Sequence, residues 1–159
     1  MGSNGALALC WGESKLYADK NQAVDECIIS LAPFLLDDGG TTDRKDRDLV
    51  LLRDGLSLTD SRVVDALKKY LDPEDPAHLK LEHRGICLIG YDVDSYVNGP
   101  LLTPASLRTA LEPIVKKVSE RVRSKIVTAK IEPYHVDVFQ IPFPGVQDFR
   151  DAFRAELRL

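Results

Sequence analysis

The run Gly85-Ile86-Cys87-Leu88-Ile89-Gly90-Tyr91 constrains this chain more than any other segment. It is short, apolar at both alternating sets of positions, and bounded by glycine. That is the pattern of a strand in a sheet covered on both faces. Such a strand needs partners and covering layers, and the rest of the sequence supplies both. Ala6-Leu7-Ala8-Leu9-Cys10-Trp11 reads as another buried strand, continuing through Gly12-Glu13-Ser14-Lys15-Leu16-Tyr17. It opens almost at the first residue and looks central, so elements that precede it in a complete domain are expected to be lacking. His135 to Ile141 reads as a further strand, ended by Pro142.

The covering layers are helical. Asp19, with Gln22 three residues on, looks like the N-cap of a helix whose apolar stripe is Val24, Cys27, Ile28, Leu31 and Leu35. Pro33 is expected to bend the last turn or end that helix early. Leu49 to Leu52, flanked by charges and followed by Leu56, also reads as helix. Asp60 is expected to cap a helix through Val63, Val64, Leu67 and Tyr70, stopped by Pro73. Thr103 caps the longest helix, with Leu107, Leu111, Ile114, Val118, Val122 and Ile126 on its buried face. From Val146 or Gln147 onward the pattern is amphipathic again, with Phe149, Phe153 and Leu157 on one stripe. Residues 37–42, 72–76 and 92–100 are turn-rich connectors. The order strand, helices, strand, helix, strand, helix predicts an α/β sandwich, and 159 residues suit a single domain spanning 1–159.

Composition narrows the function classes. At 44% apolar and 29% charged the chain is ordinary for a globular protein, and no apolar run is long enough to span a bilayer. The opening residues lack the basic segment and apolar stretch of a signal peptide, so a cytoplasmic location is expected. Cys10, Cys27 and Cys87 are an odd number with no C-x-x-C spacing, which reads as reduced core residues rather than a zinc site. A net charge of −4 argues against a domain that coats nucleic acid by charge alone. It is compatible with a nuclease, whose acidic groups hold a cation that offsets their repulsion with phosphate.

The feature that carries chemistry is Glu13-Ser14-Lys15. Strand alternation places Glu13 and Lys15 on one face, and Ser14 with Leu16 on the other. A carboxylate is a hard oxygen ligand for Mg²⁺. A lysine two residues along points into the same cleft, where its ammonium can position water or stabilise charge on a phosphate. The Ser14 backbone carbonyl can also ligate the ion. As a bare pattern, E-x-K is equally a cross-face surface pair; its place at the end of an apolar strand, beside Trp11, Gly12 and a capped helix, favours chemistry.

Trp11-Gly12-Glu13-Ser14-Lys15-Leu16-Tyr17, followed by Asp19-Lys20-Asn21-Gln22-Ala23, resembles the nuclease segment of the HamA family, the effector subunit of the Hachiman anti-phage system. The stretches Leu51-Leu52-Arg53-Asp54, Tyr70-Leu71-Asp72-Pro73 and Gly85 to Asp92 are similar in kind and order. The resemblance covers most of this chain and the C-terminal half to two thirds of the family. It implies a restriction-endonuclease-like PD-(D/E)XK fold, a mixed sheet flanked by helices, with Mg²⁺-dependent (or Mn²⁺-dependent) DNase activity. It also implies a helicase partner of the HamB type that restrains or directs the nuclease. Glu13 matches the family's metal-binding acid and Lys15 its catalytic lysine. Nucleases of this kind take a second metal-binding acid from a strand upstream. The twelve residues before Glu13 contain no acid, so the usual donor is lacking here.

Other candidates weigh less. Gln22 and Glu26, one helical turn apart, are possible second-layer groups around the ion, or a cap and a solvated face. Asp92 and Asp94 follow a strand, where aspartates usually bond turn amides. His135 on its strand reads as structural, and His78 and His83, in or near a loop, form no ligand spacing. Lys116, Lys117, Arg121, Arg123 and Lys125, interrupted by Glu120, form a basic patch on the long helix; Lys116, Lys117 and Arg121 are possible phosphate contacts. Three readings follow: a Mg²⁺-dependent DNase in a defence complex, a non-catalytic module of the same fold that docks to a helicase or DNA, or an unrelated α/β domain with a surface Glu–Lys pair. A concave, partly buried setting for Glu13 and Lys15 separates the first two from the third.

Overall fold

The computed structural model describes residues 7–36, 42–55, 61–72, 74–96, 103–132 and 135–158. Strand β1 (Ala8–Tyr17) leads into helix α1 (Lys20–Leu35). Helices α2 (Thr42–Gly55) and α3 (Ser61–Leu71) and a short 3-10 turn at Pro76–Lys80 come next. Strand β2 (Glu82–Asp92), helix α4 (Pro104–Thr128), strand β3 (Val136–Phe143) and helix α5 (Val146–Leu157) complete the order. The expected cap at Asp60, the helix stop at Pro73, residues 37–41 of the first connector, the loop at Asn98 to Pro100 and residue Leu56 lie outside the described residues.

The α/β class is as expected. The three strands pair in the order β1-β2-β3, and both pairings are parallel, so the described part of the sheet shows none of the antiparallel pairing of a mixed sheet. The glycine-bounded strand, not the first one, is central: among the described residues β1 borders β2 alone. Pairing is a long-range property that a strand's own apolar content does not reveal.

Helix α1 begins where Asp19 accepts a hydrogen bond from the Gln22 amide at 2.7 Å. Pro33 lies inside the helix, which runs two residues beyond it. Ala23, Val24, Cys27, Ile28 and Leu31 are buried on the sheet, facing Cys87, Ile89 and Tyr91 of β2. The helix sits so close at one point that a methyl group on Gly85 would run into the Leu31 and Leu35 side chains. Helix α4 packs beside α1 and covers β3 through Val118, Val122 and Ile126. It ends in a Schellman turn: Lys130 donates to the Val127 carbonyl and Ile131 to that of Ile126, with Lys130 in the left-handed region at φ 59°. A smaller cluster of Leu49, Leu71 and Leu81 ties α2 and α3 to the start of β1.

Three local expectations are corrected. Pro142 does not end β3, which continues to Phe143; β3 borders β2 alone among the described residues, and an edge strand tolerates a missing amide donor. His135 precedes that strand, in a turn whose amide bonds the Glu132 carbonyl at 2.9 Å. Cys10 is exposed, not core, because it points to the face of β1 opposite α1; Cys27 and Cys87 are buried, and all three thiols are free. On that opposite sheet face, α5 docks by setting Phe149 against Phe143 in a tilted pair, centroids 5.0 Å apart, while Phe139, Phe153 and Leu157 stay largely exposed.

Candidate functional site

Strand alternation turns Trp11, Glu13, Lys15 and Tyr17 to the side of the sheet that α1 covers, and leaves Cys10, Gly12 and Ser14 exposed on the other. Trp11 anchors the start of this row. Its ring stacks on Phe34 of α1 at 4.5 Å between centroids, and its indole N–H donates to His83 Nδ1 at 3.0 Å. His83, the second residue of β2 and close to the turn that precedes it, holds its acceptor nitrogen towards β1.

Glu13 and Lys15 meet in the middle of the row. Lys15 Nζ lies 3.0 Å from Glu13 Oε1, and the two side chains are 24% and 27% exposed. Both side chains are half-buried on the face of β1 that α1 covers, and both remain reachable from solvent. The hydrogen bond to Glu13 raises the Lys15 pKa above its ordinary value; partial burial opposes this, and the charges of Glu13, Tyr17 and Glu26 add to it. Lys15 is thus a firm cation at neutral pH.

Two buried thiols form the floor. Cys87 stands directly across from Glu13 in the β1–β2 register. Cys27, from α1, points its thiol at the Glu13 carbonyl, 3.8 Å away. The adjacent Cys87 thiol and burial push the Cys27 pKa up, so it stays protonated. Cysteine count alone does not disclose this role; the pairing register does.

Of the other sequence candidates, Gln22 is exposed and Glu26 half-buried on α1. Arg121 is not near the Glu13–Lys15 pair. It donates from Nε and Nη2 to the two carboxylate oxygens of Asp25 at 3.0 and 2.7 Å, and Lys125 adds a third bond at 2.9 Å. Burial alone would push the Asp25 carboxyl up, but these bonds outweigh it and hold it below the usual carboxylate value. The basic patch is therefore divided. Helical spacing sets Lys117 on the flank of Arg121 and Lys125, while Lys116 and Arg123 fall on another and are exposed. Asp92 accepts from the Val146 amide and starts α5, the turn-bonding role expected of it. Asp94 lies in a short 3-10 turn at Asp94–Tyr96. His78 Nδ1 contacts the Tyr70 carbonyl at 2.9 Å.

The fold and the site define an α/β domain whose described strands pair in parallel, with a half-buried acid–lysine pair on a strand that borders one neighbour among the described residues, on the face covered by a capped helix. The HamA family model matches residues 2–157, and the chain belongs to that family. Membership sets it in Hachiman anti-phage defence. No curated protein and no solved structure matches the chain. Among the described residues, no helix is long and apolar enough to cross a membrane.

Proposed function

We propose that the chain is the nuclease module of a prokaryotic defence complex and hydrolyses DNA phosphodiester bonds with a Mg²⁺ or Mn²⁺ ion held at Glu13. The observation that carries this reading is the half-buried pair: one carboxylate and one firm ammonium at 3.0 Å on the same strand face, both open to solvent by about a quarter.

The donors present suit such an ion. Glu13 offers a hard carboxylate oxygen, and the Ser14 carbonyl lies next to it in sequence. The thiols nearby are buried, and Cys27 is held protonated. Among the described residues no group of three His, Cys, Asp or Glu side chains converges. Mg²⁺ accepts this, since it commonly keeps several waters and binds one or two carboxylates plus substrate phosphate. When bound, the ion polarises the phosphate and activates water. Glu13 holds and orients the site. Lys15, the firm cation beside Glu13, would stabilise the charge that builds on the reacting phosphate. Water is the nucleophile. Lys116 and Lys117 are exposed and available to the DNA backbone; Arg121 is committed to Asp25 and orders the helix pair instead. In this reading the partner is a HamB-type helicase and the location is the cytoplasm.

A second reading, a non-catalytic module docking to the helicase or to DNA, draws on the closed state of the pair: Lys15 already neutralises the oxygen a cation would take. Mg²⁺-dependent plasmid cleavage by wild type, Glu13→Ala and Lys15→Ala separates the two. Cleavage by wild type alone is expected. Equal cleavage in both variants removes the first reading; no cleavage in any, with DNA or helicase binding intact, establishes the second.

A further inference from the structure

A divalent ion at Glu13 is held more firmly by two carboxylates than by one, and the layout of α1 over β1 brings a second acid to the same level. The chain leaves β1 at Tyr17, turns at Ala18 and Asp19, and α1 runs back over the strand it has just left. A helix advances about 1.5 Å per residue and a strand about 3.3 Å, so seven residues of helix retrace about three of strand. Cys27 accordingly stands over Glu13, which its thiol contacts. Glu26, one residue earlier, lies at a height between Glu13 and Lys15.

Rotation about the helix fixes its side. Asp25 turns to α4, where Arg121 and Lys125 bind it, and Cys27 turns down to the sheet. Steps of about 100° per residue then set Glu26 equally far around the helix from Asp25 and from Cys27, on the side of α1 away from α4. It is half-buried, its charge reaches Lys15, and among the described residues no cation pairs with it.

We propose that Glu26 is the second carboxylate of the cation site, gripping the ion together with Glu13 across the gap between α1 and β1, where related nucleases use an acid from an upstream strand. This rests on the nuclease reading above. Charge balance supports it. Glu13, Glu26 and Lys15 leave one net negative charge, which attracts a divalent ion; once bound, the ion turns the site net positive, the sign a phosphodiester requires.

The test is Mn²⁺ binding to the full chain by isothermal titration calorimetry, for wild type, Glu13→Gln and Glu26→Gln, with thermal unfolding of each as a fold control. The expected result is a loss of roughly tenfold or more in Mn²⁺ affinity for Glu26→Gln and no detectable binding for Glu13→Gln. Glu26→Asp, which keeps the charge on a shorter arm, is expected to fall between wild type and Glu26→Gln. Wild-type affinity in Glu26→Gln, with binding lost in Glu13→Gln, overturns the role of Glu26 and leaves the nuclease reading standing. Binding unchanged in both, or none by wild type, overturns both.

Discussion

Helix α1 carries two ionic clusters, and they differ in charge balance. On the flank facing α4, a single acid, Asp25, is met by two cations, Arg121 and Lys125, in three short hydrogen bonds. On the sheet side, a single cation, Lys15, faces Glu13 directly and feels Glu26 as well. The first cluster is closed: its carboxylate is held in a bidentate fork and has no demand for a further positive charge. The second sets two acids against one cation. Both look like salt bridges in isolation. The sign of the surplus, rather than the presence of a pair, distinguishes a fastening between helices from a place where chemistry is done.

The largest effect that tests this contrast is at the acid-rich cluster. Glu13→Ala is expected to lower Mg²⁺-dependent cleavage at least a hundredfold while leaving the melting temperature nearly unchanged. Lys15→Ala is expected to lose cleavage to a similar degree yet bind Mn²⁺ more tightly, because the competing ammonium is gone. Weaker Mn²⁺ binding in Lys15→Ala contradicts the charge argument. Next comes Gly85→Ala, which lifts α1 off the sheet at Leu31 and so disturbs both clusters at once. A loss of about 2 kcal/mol is expected in urea unfolding, together with reduced cation affinity. Retained affinity would show that the site does not depend on the seating of α1.

The closed cluster should respond in stability alone. Asp25→Asn is expected to cost about 1 kcal/mol at pH 7, a modest figure because its partners Arg121 and Lys125 are each over a third exposed, with cleavage intact. The sign of its pH dependence follows from the lowered carboxyl pKa in the folded state. The contribution is fully present above the ordinary aspartate value and disappears as pH falls through the lower folded value. The gap between wild type and Asp25→Asn should therefore persist at pH 5 and close only in strong acid. Lys15 runs the opposite way: its raised pKa keeps its pairing intact below the ordinary lysine value, to be lost only as pH rises above it. The smallest effect is at the end of α4. Lys130→Gly relieves a left-handed backbone and should add about 0.5–1 kcal/mol of stability without touching cleavage.

Much of the fold was legible in local pattern. The strand that carries Glu13 and Lys15, the Asp19 and Thr103 caps and the stripes of α1 and α4 depend on spacing and on near neighbours, and the structure has each of them. What depends on distant pairing was not legible. Nothing in residues 8–17 says that β1 borders β2 alone among the described residues, and nothing around Pro142 says that β3 lies where an absent amide is tolerated. The candidate site divides in the same way. That Glu13 and Lys15 share a face follows from alternation. That Arg121 belongs to Asp25, ninety-six residues away, and that Cys87 lies across from Glu13, require the assembled layers.

The row on β1 begins with the chain's single tryptophan, two residues from Glu13, stacked on Phe34 and bonded through its indole N–H to His83. The protein consequently carries its own optical gauge. Excitation of indole reports on one locality alone, without labels or background from a second emitter of that kind. Any event that shifts α1 against β1, or that charges the imidazole, should alter the colour or intensity of that light before it alters anything visible to a bulk melting curve.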